Sequence, residues 1–109
     1  MAEDKNKDLM EFSKNRQQLM TVSGQKQQLE MQSNALNAAL EELKDSKNDK
    51  VFKIIGPIMI EKKSSDLKKE LTESKETVDL RLKTMKKQED ILIKSLNKLK
   101  SKIEEPEKK

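Results

Sequence analysis

From Val51 to Ile60 the chain reads Val-Phe-Lys-Ile-Ile-Gly-Pro-Ile-Met-Ile, its one concentrated block of β-branched residues. Gly56-Pro57 at its centre predicts a β-hairpin rather than a helix. Glycine suits the first position of a type II′ turn, and proline at the second has no donor to lose there. A two-residue loop sets Ile55 opposite Ile58, Lys53 opposite Ile60 and Val51 opposite Lys62 on one side, and leaves Phe52, Ile54 and Met59 on the other. Both faces are apolar. An isolated hairpin is marginal in water, and this one also has unpaired edges. Nothing else in the sequence can cover it, so Val51, Phe52, Ile54, Ile55, Ile58, Met59 and Ile60 are the expected contact surface for other chains. A closed ring or barrel of such hairpins would remove the edges.

The flanks are helical. Phe12, Asn15, Leu19, Val22, Lys26, Leu29, Ser33, Leu36, Leu40 and Leu43 recur at intervals of three and four, a coiled-coil seam within a helix expected over 9–44. Gly24 falls opposite that seam. Polar residues from Lys44 to Lys50 then form a loop before the hairpin at 51–62. A second seam runs Leu71, Lys75, Val78, Leu82, Met85, Glu89, Leu92, Leu96, Leu99 and Ile103, within a helix expected over 65–104 and capped by Ser64 or Ser65. Pro106 ends it, and 105–109 is expected to fray. The fold class is therefore mainly α with a small β element: an antiparallel two-helix coiled coil joined by a central hairpin, in one domain over 1–109. Antiparallel pairing layers Leu40 on Leu71, Leu29 on Leu82, Leu19 on Leu92 and Phe12 on Leu99. In that register Lys26 and Glu89 approach each other from neighbouring layers.

Composition supports this reading and narrows the function. Charged residues make up 40% of the 109 and hydrophobic ones 32%, which suits narrow seams better than a compact core. Disorder is the competing reading, and the regular periodicity outweighs it. With no His and no Cys, the usual bases, nucleophiles and zinc ligands are missing. The carboxylate pairs Glu41/Glu42 and Glu104/Glu105 are sequence neighbours that point apart on a helix, so neither an enzyme nor a metal or cofactor site is expected. The net charge of +4 resides in the second half: residues 1–50 carry eight basic against nine acidic groups, and the rest sixteen against eleven. With only Phe12 and Phe52 as aromatics there is no base-stacking platform, and no nucleic-acid partner is expected. No apolar run is long enough to span a membrane, which, with the absence of cysteine, makes a cytoplasmic location the expectation.

The block VFKIIGPIMIEKK, set between two such helices, resembles the hairpin of β-class prefoldin subunits, archaeal or eukaryotic. The stretches SGQKQQLEMQ (Ser23 to Gln32), ALEEL (Ala39 to Leu43) and ETVDLRLKTMKKQED (Glu76 to Asp90) resemble the helices of the archaeal members. One hairpin rather than two places the chain in the β class. The resemblance implies a hexamer with two α-class and four β-class subunits, its hairpins closed into β-barrels and its coiled coils free as tentacles. It also implies an ATP-independent chaperone that captures unfolded client proteins and passes them to a group II chaperonin. A coiled-coil scaffold or tether holding fixed partners is the alternative.

Topology points to the surface that a holder of unfolded chains would use. A hairpin in mid-sequence sends both termini to the opposite end of the helix pair, where Leu9, Met10, Phe12, Leu99 and Ile103 are the outermost apolar residues. Layers there are weaker, with Asn15 against Leu96 and Asp8 against Ile103, so the end is expected to open intermittently. Exposed apolar area is the feature that unrelated unfolded clients can share. Met10 and Met20 flank the first seam and are further candidates for such contacts.

Overall fold

The computed structural model describes residues 2–104, with side chains from Lys5 onward; the expected fraying tail at 105–109, with Pro106, lies outside the described residues. Helix α1 (Ala2–Asp45) leads to strands β1 (Lys50–Ile55) and β2 (Ile58–Lys63), and helix α2 (Ser64–Glu104) follows. The helix–hairpin–helix order is the expected one. Helix α1 begins at Ala2 rather than at Leu9, because Ala, Glu and Lys are helix formers even where no apolar seam marks the turn. It stops at Asp45, where the Ser46 N–H donates to the Glu42 carbonyl (3.0 Å) and the Asn48 N–H to the Ser46 hydroxyl (3.3 Å). Helix α2 starts directly after β2, without the single-residue cap expected at Ser64 or Ser65. The Ser64 N–H donates instead to the Asp49 carbonyl at 2.7 Å, which closes the base of the hairpin. Basic Lys44 and Lys102 in the last turns and acidic Asp66 in the first turn of α2 suit the helix dipoles.

Compactness divides the chain into two units, residues 29–81 and residues 1–28 with 82–109. Within 29–81, the end of α1 and the start of α2 run antiparallel. The seam residues Leu29, Ser33, Leu36, Leu40 and Leu43 lie partly buried, as do Leu71, Lys75 and Val78. Leu67, one turn upstream of the expected seam, is buried at 8% exposure. Ser33 donates to Asp79 across the pair (2.7 Å), and Lys75 donates to the other oxygen of the same carboxylate (2.7 Å).

Within the other unit, Phe12, Leu19 and Val22 are partly buried, as are Leu82, Met85, Leu92 and Leu96, and Leu99 is buried at 7% exposure. The Asn15 amide donates to the Ser95 hydroxyl at 2.9 Å, so the weak Asn15 layer is a polar pair beside Leu96. Two helices alone cannot enclose a side chain fully. Leu67 and Leu99 are accordingly the only buried apolar residues among those described.

Candidate functional site

The hairpin has the expected register: Val51 pairs with Lys62, Lys53 with Ile60 and Ile55 with Ile58, with Phe52 opposite Glu61 and Ile54 opposite Met59. Gly56 has a φ of 56°, and Pro57 is held near −65° by its ring, the combination a type II′ turn requires. The sheet has two strands among the described residues, so each strand has one unpaired edge.

Exposure separates the two faces. Phe52, Ile54 and Met59 are 60–70% exposed, whereas Ile55, Ile58 and Ile60 on the opposite face are 40–58% exposed and Val51 is partly buried. The less exposed face carries Lys53 and Lys62, and both reach Glu70 on α2. Lys53 donates to Glu70 Oε1, and Lys62 to Oε2 at 2.6 Å. The hydrogen bond from Lys53, then that from Lys62, lowers the Glu70 carboxyl from its ordinary value of 4.5 to about 2. Sequence reasoning missed Glu70. The only signal was a carboxylate within two turns of a strand that ends in Lys62-Lys63.

The candidate client residues occupy different environments. Leu9 is 48% and Met10 74% exposed, while Phe12 and Ile103 are partly buried. Leu99 is sequestered between the helices and becomes accessible only if the pair opens. Met20 is exposed as well, together with Ile91, which periodicity did not single out because it lies off the seam. An open groove of about 650 Å³ beside this helix pair is lined by Val22, Thr21, Ile91 and Leu92, with Lys14 and Gln88 among its polar members.

Among the described residues, the seam in the same unit brings Lys26 and Glu89 together as an ion pair. Lys26 donates to Glu89 Oε1 at 2.8 Å, and the Ser23 hydroxyl donates to Oε2 at 2.8 Å. The hydrogen bond from Lys26, then that from Ser23, keeps the Glu89 carboxyl below its ordinary value. Among the described residues no group of three or more carboxylates converges as a metal site would require, and no helix is long and apolar enough to cross a membrane.

These features define a coiled-coil subunit of helix–hairpin–helix type whose sheet is left open for completion. The family described as "Prefoldin subunit" matches residues 6–107. A prefoldin subunit beta of Archaeoglobus fulgidus is 42% identical over 77 residues, covering 70% of this chain and 66% of the relative, so the match spans slightly under two thirds of that protein. One of Saccharolobus islandicus is 35% identical over 98 residues, covering 89% of this chain and 78% of the relative. The crystal structure of the prefoldin beta subunit from Thermococcus strain KS-1 superposes with a TM-score of 0.85 at 27% identity, covering 94% of this chain and 95% of that one. The chain belongs to the prefoldin family of chaperone subunits and has the fold of its beta members.

Proposed function

We propose that this chain is the β-class subunit of an ATP-independent, cytoplasmic holdase, assembled from two α-class and four β-class chains. In this reading it captures unfolded proteins and delivers them to a group II chaperonin without catalysing a reaction. The observation that carries the reading is the hairpin. Six of its apolar residues remain 40–70% exposed in the single chain, a surface that a stable protein in water covers with other chains. Its similarity to relatives named prefoldin subunit beta supports hairpins of other prefoldin subunits as that cover.

The client surface in this reading is the end of the helix pair that carries Leu9, Met10, Phe12, Leu99 and Ile103. Leu9 and Met10 already present apolar area to solvent, and opening of the Asn15–Ser95 end would add Phe12 and Leu99. The test is light scattering of an unrelated denatured protein diluted into buffer without nucleotide. The assembled complex should suppress aggregation, and a complex whose β-class chains span only Leu19 to Lys94 should assemble but protect less. A full-length complex that assembles yet gives no protection would favour a tether for fixed partners.

A further inference from the structure

We propose that Glu70 is a positioning residue that clasps the hairpin to α2 and so sets which face it presents to neighbouring subunits. Lys53 and Lys62 belong to different strands and stand diagonally on one face, since their cross-strand partners are Ile60 and Val51. Two ammonium groups so placed on an apolar surface repel each other unless an anion lies between them. Glu70 supplies that anion, with one oxygen for each strand.

The strands are thereby tied separately to the helix. The Ser64 N–H to Asp49 carbonyl bond adds a third tie at the base of the hairpin. A single tie would leave the sheet free to swing, whereas a bond from each strand to Glu70, together with the Asp49–Ser64 bond, restrains its tilt. That tilt turns the face of Val51 and Ile60 toward the helix and leaves Ile54 and Met59 outward, while Phe52, 60% exposed, shares a cleft with Leu67 and Leu71 at the base of the hairpin. Glu70 touches no other chain in this scheme and acts only through the two lysines. The inference rests on the reading of the hairpin as the assembly surface.

The test uses the full chain with Glu70→Gln and, separately, with Lys53→Met plus Lys62→Met. In the unassembled chain, amide exchange of the strands should accelerate about tenfold in both variants while helix content by circular dichroism stays unchanged. Sedimentation with an α-class partner should show assembly about tenfold weaker in both. Adding the two lysine substitutions to Glu70→Gln should weaken it no further, because a shared clasp is lost only once. Unchanged strand exchange in Glu70→Gln would overturn the clasp. Faster exchange with undiminished assembly would overturn its role in presentation. Failure of the unsubstituted chain to assemble would instead remove the hairpin reading, and the positioning role with it.

Discussion

Lys26 on α1 and Glu89 on α2 meet at 2.8 Å inside the seam, their side chains only 24% and 16% exposed. The pair occupies positions that a coiled coil normally gives to apolar residues, so its effect is on register more than on bulk stability. Lys26→Met leaves Glu89 with Ser23 as its remaining hydrogen-bond donor from α1 and should lower the thermal midpoint by several degrees. Combining Lys26→Met with Glu89→Leu should raise the midpoint above that of the unsubstituted protein, because apolar residues in two neighbouring layers replace a partly desolvated ion pair. Calorimetric scans of the three proteins check both directions.

Leu99 and Met10 separate stability from client binding. Leu99 is buried, and Leu99→Ala should cost roughly 2–3 kcal/mol, the low end for a buried leucine because a two-helix seam can collapse around the loss. Met10 is 74% exposed, so Met10→Ser should leave the urea midpoint within error. It should nevertheless reduce protection of a denatured client. Loss of stability on Met10→Ser, with protection intact, would contradict the assignment.

Acid should release the hairpin before it melts the helices. Because the folded Glu70 carboxyl titrates at about 2 instead of 4.5, its ion pairs contribute full stability above about pH 4.5. That contribution falls away as the pH drops toward 2, since the unfolded chain takes up the proton first. Glu89 is shifted in the same direction, so acid also weakens the seam between α1 and α2, a loss that helix melting rather than strand exchange reports. Strand amide exchange should therefore accelerate between pH 5 and pH 3 relative to Glu70→Gln, whose profile lacks this component.

The two glycines should respond oppositely to alanine. A methyl group added at either position would meet no heavy atom within 4 Å, so backbone conformation decides. Gly56 has φ 56°, and Gly56→Ala should destabilise the hairpin by about 1–2 kcal/mol. Gly24 lies within helix α1, where Gly24→Ala should stabilise by roughly 1 kcal/mol. Denaturation midpoints of the two variants should move in opposite directions.

The seams and the hairpin register were legible because both rest on strict periods: every expected seam residue from Phe12 to Leu43 and from Leu71 to Ile103 is at least partly buried. Leu67 was overlooked because it sits among the polar residues that open α2, although it continues the spacing of four before Leu71. The Glu70 clasp and the Ser33–Asp79 bond could not be read in the same way. They depend on the tilt of a sheet and the rotation of a helix, which no periodicity specifies. Ile91 was likewise invisible as a groove residue, since an apolar side chain off the seam has no pattern to announce it.

The central claim is that the hairpin exists to be completed by other prefoldin subunits. Native mass measurement of this chain mixed with an α-class subunit tests it most directly, alongside the same mixture carrying Ile54→Asp. Ile54 is 70% exposed in the single chain, so the substitution should leave the helices of the monomer intact, whereas a charge buried in a closed barrel would be strongly destabilising. The account predicts a single species with two α-class and four β-class chains for the unsubstituted protein, and only smaller species for Ile54→Asp with helical circular dichroism retained. A hexamer that forms equally well with Ile54→Asp would contradict it.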